Sequence, residues 1–156
     1  WPLAHYIEVI QKLIRARPEV AVLLFGGPEE EQDIRRVLAE GNSGHVFHPQ
    51  TKDLRQAAAL VKRCAAFLSV DTALMHIAAA MKVPGQVVIE TPTWNKTIEP
   101  YGNPFTLVRN PAVAGRGLEY YRYDGRGIRG TDEELARCMA SVTVEAVFEA
   151  VTRMLA

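Results

Sequence analysis

The stretch AFLSVDTALMHIAAAMKVPGQVVI, Ala66 to Ile89, decides the fold. Ala66 to Val70 is a short apolar run of the kind that forms a strand covered on both faces. Asp71 and Thr72 are helix-capping residues, and Thr72 to Met81 follows with helix formers. Pro84 and Gly85 then punctuate the chain before a second apolar run, Gln86 to Ile89. A strand, a helix and a strand without a hairpin-length connection predict a right-handed crossover between parallel neighbours.

The same alternation extends upstream. Pro2 precedes apolar Ile7, Ile10, Leu13 and Ile14 at helical spacing, and Pro18 ends that helix. Val20 to Phe25 predicts a strand covered on both faces, stopped by Gly26, Gly27 and Pro28. A helix from Pro28 to about Glu40 and a stop at Gly41 to Gly44 follow. His45 to His48 predicts a short strand, Pro49 to Lys52 a polar turn and Asp53 to Lys62 another helix.

Downstream, Thr91 to Gly130 dissolves into Pro, Gly, Asn, Tyr and Arg, except for a strand at Phe105 to Val108. Thr131 to Met139 predicts a helix, with Thr131 and Glu134 spaced as a capping box. Thr143 to Leu155 predicts a last helix, with Val144, Val147, Phe148, Val151 and Leu155 on one face. The fold class is therefore α/β: a Rossmann-like, mainly parallel sheet with helices on both faces.

Composition bounds the function. The chain has 156 residues, 48% hydrophobic and 23% charged, which is enough to bury one core and predicts one domain over 1–156. Eighteen Lys plus Arg balance 18 Asp plus Glu, so no global field favours nucleic acid or an anionic membrane. Two distant cysteines, Cys64 and Cys138, lack metal-ligand spacing and read as small buried residues of a reducing compartment. No apolar run approaches the ~20 residues of a membrane span. The chain starts at Trp1 without Met, inside a helical pattern, which points to a piece of a longer protein.

Ligands of open parallel sheets bind beyond the carboxyl ends of the strands, where helix N-termini present unpaired N–H groups. Two junctions fit. In LFGGPEEEQ, Leu24 to Gln32, a carboxylate of Glu29 to Glu31 can accept from ribose hydroxyls, although three carboxylates at a helix start also serve as dipole partners in water. The GGP turn lacks the spaced glycines of a nicotinamide site. In SVDTALMHIAAA, Ser69 to Ala80, Asp71 or Thr72 caps the helix, Thr72 and His76 share a face, and Ala78 to Ala80 allow close packing on the sheet. The N–H groups at Thr72 and Ala73 suit a phosphate. Asp, Thr and His within an otherwise apolar strand–helix unit favour a site over a mere cap.

The stretch CAAFLSVDTALMHIAAAMKVP, Cys64 to Pro84, resembles the signature of glycosyltransferase family 9, the ADP-heptose lipopolysaccharide heptosyltransferases: Asp-Thr/Ser-Gly-x-x-His-x-Ala-Ala-Ala followed by Pro. Trp1 to Leu13, Val20 to Glu31, Gln50 to Leu60 and the last helix fall in the family's order. The resemblance implies the C-terminal half of a two-domain GT-B enzyme, which binds the nucleotide-sugar donor, while an N-terminal domain holds the acceptor and the catalytic base. It implies that Thr72 and Ala73 hold the diphosphate, with Asp71 and His76 beside sugar and phosphates. Glu30 or Glu31 holds the ribose, and Gln50 to Leu54, Thr51 among them, borders the adenine.

Lys96 is a further candidate for the charge on the departing diphosphate. The resemblance implies no catalytic residue in this piece, which alone should be inactive, and neither cofactor nor metal. It implies a glycan or lipid A-core acceptor, no nucleic acid, and a cytoplasmic protein compatible with peripheral membrane association. Two positions depart from the family: Ala73 stands for its usual Gly, and IETPTWNKTIEPYG, Ile89 to Gly102, has Glu90 where a Gly-Pro-Thr turn is usual. Ala73 crowds the phosphate approach by one methyl but suits a helical first turn, whereas Glu90, with Trp94, Asn95 and Lys96, bears on sugar specificity more than on the nucleotide. Trp94 reads as a stacking platform or a loop anchor. Arg116, Arg122, Arg126 and Arg129 among tyrosines in 115–130 suit an anionic acceptor, an interdomain contact or solvent. The competing reading is a non-catalytic glycan- or protein-binding module; another nucleotide-sugar enzyme of the same layout, such as an epimerase, is a third.

Overall fold

A computed structural model describes residues 1–41, 44–113 and 131–156. Helix α1 (Leu3–Ala16) leads into β1 (Val22–Leu23), a 3-10 turn (Pro28–Glu30) and α2 (Glu31–Glu40). Then come β2 (Val46–Phe47), α3 (Leu54–Val61), β3 (Ala66–Ser69), α4 (Ala73–Ala80) and β4 (Gly85–Ile89). A second 3-10 turn (Lys96–Ile98), β5 (Thr106–Val108), α5 (Asp132–Ala140) and α6 (Val144–Met154) complete the order. The predicted alternation and every predicted helix are present.

All strand pairs are parallel, in two ladders: β1–β2, and β3–β4–β5 with β4 central. Side-chain packing joins them. Val22 packs against both the α1/α2/β2 cluster (Ile7, Ile10, Ile14, Val37, Val46) and the largest cluster. That largest cluster unites Val9 and Leu13 of α1, Val87 and Ile89 of β4, Val108 of β5 and Val147, Ala150 and Val151 of α6. On the other face, Phe67 meets Val61, Ala78 and Val83. Residues alternate across a strand, so Phe67 serves α3 and α4 while Leu68 serves α1 and α6. Helices α1, α2 and α6 thus cover one face and α3 and α4 the other.

Several helix starts follow from their caps. The side chains of Asp53, Thr72, Thr131 and Thr143 accept from the backbone N–H three residues on, satisfying groups that have no intrahelical partner. The Thr131–Glu134 capping box closes in both directions, at 3.2 and 2.8 Å. Buried Gln86 fixes α4 to the sheet: its Nε2 donates to Met75 O at 2.8 Å, and its Oε1 accepts from Asn103 at 3.2 Å.

Three expectations are corrected. The run Val20 to Phe25 forms only a two-residue strand, and its side chains are half-buried or exposed. Its partner β2 offers only two residues, with His45 O and Phe47 O accepting from Val22 and Leu24. Of the three alanines of α4, Ala78 and Ala79 are buried while Ala80 is exposed, because the third turns off the packed face. Cys138 is buried, but Cys64 is half-exposed, and desolvation raises its thiol pKa. The Arg/Tyr segment 115–130 lies outside the described residues.

Two tests of this packing follow. A Cβ on Gly85 would lie 2.7 Å from Met154 Cβ and 3.1 Å from Ala65 O. Gly85→Ala therefore overpacks the β4–α6 contact and should destabilise by about 1–3 kcal/mol in urea unfolding; an unchanged midpoint would refute the packing. Tyr6 stacks edge-on against Trp1 at 4.9 Å, and desolvation pushes its phenol pKa up to about 12. The unfolded phenol ionises near 10, so this contribution is complete below pH 10 and is lost as pH climbs towards 12. Tyr6→Phe should flatten that alkaline loss; an identical stability–pH curve for both proteins would contradict it.

Candidate functional site

Parallel pairing sets the segments that follow paired strands side by side. Beyond the β3–β4 ladder, Val70 and Asp71 lie with Thr91, Pro92 and Thr93 around a cavity of about 420 Å³. Its far wall is Trp1, Leu135 and Met139. Trp1 is held there by its indole N–H, which donates to Val142 O at 2.8 Å. Thr91 and Thr93 hydroxyls lie 3.1 Å apart and Trp94 N–H donates to Thr91 O, so this edge is a tight turn.

Of the two possible caps of α4, the structure selects Thr72. Its backbone is extended (φ −144°, ψ 162°), and its side chain accepts from Met75 N–H at 3.4 Å. Asp71 is thereby left to the cavity. Ala73 and Leu74, in the first turn, have N–H groups without intrahelical acceptors, as at any helix start. Thr72, Ala73 and His76 are exposed at this end of α4. The methyl group of Ala73 leaves the first turn regular. Ser69 Oγ, at the end of β3, is buried without a partner among the described residues.

The second junction sits beyond the β1–β2 ladder. His48 Nδ1 lies 3.1 Å from Leu24 O, so Gly26 to Glu31 and His48 to Thr51 leave the sheet together. The space at Gly26 is taken by Ile34, whose Cδ1 would lie 2.8 Å from an added Cβ. Glu30 turns back to accept from Gly27 N–H at 2.7 Å, and Glu31 pairs with Arg35 at 2.6 Å. Both contacts are exposed and therefore weak, so either carboxylate is available to a hydroxyl ligand. Glu30, Glu31 and Thr51 do not line the Asp71 cavity, and neither do His76 and Lys96. Lys96 is exposed at the start of its 3-10 turn, which Asn95 caps.

Trp94 is half-buried and its ring meets Phe105 at 6.0 Å, tilted by 58°, which favours the loop-anchor reading. The cavity wall of Trp1, Leu135 and Met139 had no signal in the sequence beyond helix-forming apolar residues. Glu90 also differs from expectation. It is buried against the residues that follow β5: Oε2 accepts from Asn110 N–H at 2.8 Å and Oε1 from Arg109 at 3.2 Å. Among the described residues, no three His, Cys, Asp or Glu side chains converge as metal ligands, and no helix is long and apolar enough to cross a membrane.

Comparison with known proteins fits this architecture. Lipooligosaccharide heptosyltransferase 2 of Haemophilus ducreyi is 38% identical over 93 residues, 56% of this chain and 26% of its own length. The Haemophilus influenzae protein of the same name is 30% identical over 131 residues, 81% of this chain and 36% of its own. Among solved structures, E. coli ADP-heptose LPS heptosyltransferase II superimposes with a TM-score of 0.73 at 24% identity, over 99% of this chain and 41% of that one. E. coli heptosyltransferase WaaC with ADP-2-deoxy-2-fluoro heptose gives 0.68 at 24% identity, over 98% and 38%. The chain thus spans between about a quarter and two-fifths of the proteins it matches. Residues 1–120 match Glycosyltransferase family 9 (heptosyltransferase), and the chain belongs to that family.

Proposed function

We propose that this chain is the donor-binding domain of a family 9 glycosyltransferase that moves a heptose from a nucleoside diphosphate to a cell-surface glycan or lipid A-core acceptor. The observation that carries the reading is the β3–α4 corner: Thr72 supplies the cap, the next N–H groups open beyond the sheet, and Asp71 faces a cavity. ADP is the expected nucleotide, since the E. coli relative binds an ADP-linked fluoro-heptose.

In this reading an acceptor hydroxyl attacks the anomeric carbon, the bond to the diphosphate oxygen breaks, and its electron pair leaves with the nucleoside diphosphate. The N–H groups of Ala73 and Leu74, with Lys96, balance the growing negative charge without a metal. Asp71 and His76 orient the sugar and phosphates, Glu30 or Glu31 takes the ribose hydroxyls, and Thr51 borders the base. The hydroxyl's proton goes to a base outside this chain, in an N-terminal acceptor domain, so the 156 residues alone bind but do not turn over. The whole enzyme works in the cytoplasm, at the inner membrane face.

The rival reading, a non-catalytic glycan- or protein-binding module, drew its support from the altered turn after β4. The burial of Glu90 on Asn110 gives that change a structural part of its own and supports the donor-binding reading over this one. Calorimetric titration of ADP into the full-length protein, and into this chain, should give micromolar binding. If no nucleoside diphosphate binds to folded protein, the reading fails.

A further inference from the structure

The glycine-to-glutamate departure at position 90 becomes intelligible from its surroundings. Glu90 directly follows β4 and precedes Thr91, Pro92 and Thr93, the cavity edge on the side of Asp71. Its carboxylate accepts from Asn110 N–H at 2.8 Å, and its backbone N–H donates to Val108 O at 3.0 Å. Asn110 returns the contact: its Nδ2 donates to Glu90 O and to Cys138 O, both at 3.2 Å. Its Oδ1 accepts from Ser141 Oγ at 2.8 Å. One residue further, Val142 O holds the Trp1 indole. Hydrogen bonds linked by adjacent residues therefore run from the Thr91 edge of the cavity, through Asn110 and Ser141, to its Trp1 wall.

We infer that Glu90 is a positioning residue that fixes the Thr91–Lys96 segment to the turn that follows β5, holding the cavity edge beside Asp71 in place for the donor. This inference rests on the donor-binding reading for its ligand, but not for its anchoring claim. Reach matters more than charge. Arg109 is 74% exposed in its side chain, and an ion pair with so exposed a partner contributes little. The bond to the buried Asn110 N–H carries the anchor. Shortening the side chain by one methylene withdraws the carboxylate by about 1.5 Å, beyond hydrogen-bond range of that N–H. An amide of the same length still presents an acceptor.

The test uses the full-length protein and the variants Glu90→Gln, Glu90→Asp and Glu90→Ala, with ADP as the probe. Glu90→Gln should keep ADP affinity within threefold of the unsubstituted protein, whereas Glu90→Asp and Glu90→Ala should weaken it at least fivefold. Amide hydrogen exchange in peptides covering 91–98 should accelerate at least tenfold in Glu90→Asp, with 73–80 unchanged. The reverse ranking, with Asp retained and Gln lost, would overturn the inference, as would wild-type exchange in Glu90→Asp. Should Glu90→Ala fail to fold, the Gln and Asp variants decide alone. If unsubstituted protein does not bind ADP, the functional reading falls, and exchange at 91–98 still decides the anchor.

Discussion

Asp71→Ala in the full-length protein is expected to lower kcat/KM for sugar transfer by about 10- to 150-fold while leaving thermal unfolding nearly unchanged. The argument starts from the cap. Because Thr72 satisfies the first turn of α4, removing the Asp71 carboxylate leaves the helix start intact. Asp71 is half-buried at a cavity edge, so its loss creates no packing defect. A hydrogen bond from a sugar hydroxyl to a carboxylate contributes about 1.5–3 kcal/mol, which sets the range through ~1.4 kcal/mol per factor of ten. Steady-state kinetics with an ADP-sugar donor gives the answer. An unchanged rate in both Asp71→Ala and His76→Ala would remove these residues from the donor site, whereas no transfer by the unsubstituted full-length protein would return the rival, non-catalytic reading.

Asn110→Ala is expected to destabilise the protein by about 3–5 kcal/mol, more than any other single change considered. Asn110 is completely buried and uses both ends of its amide: Nδ2 donates to Glu90 O and Cys138 O, while Oδ1 accepts from Ala112 N–H and Ser141. Truncation removes the Asn110 partners of Glu90 O and Ala112 N–H, each at about 1–3 kcal/mol, and empties a fully buried site, while Ser141 Oγ and Cys138 O keep each other. A domain with the usual margin of about 5–15 kcal/mol loses a large share of it. Urea unfolding monitored by far-UV circular dichroism should show the shift; a loss below about 1 kcal/mol would mean that the network carries no weight.

The order of elements was legible because each signal was local. Apolar spacing marks α1 and α6, the Thr131–Glu134 pair marks the start of α5, and Pro84–Gly85 separates α4 from β4. Strand lengths were less legible. An apolar run reports a capacity for burial, and Val20 to Phe25 has that capacity, but the ladder extends only as far as β2 reaches. The β3–α4 corner was visible because strand, cap and helix are contiguous. Its cavity was not: Trp1 meets Val142 across 141 positions, and no local pattern encodes that meeting. The burial of Glu90 was illegible for the same reason, since its partner Asn110 lies 20 residues away and only the β4–β5 pairing brings it near.

The division of the strands into two ladders has a consequence for how such a protein can diverge. Among the described residues no backbone hydrogen bond crosses from β1–β2 to β3–β4–β5. The turn bearing Glu30 and Glu31 thus belongs to one ladder and the Asp71–His76 corner to the other. Substitutions at sites without shared partners usually combine additively, so under the donor-binding proposal changes at the Glu30–Glu31 turn and at the Asp71–His76 corner are expected to add, coupled only through packing such as that of Val22.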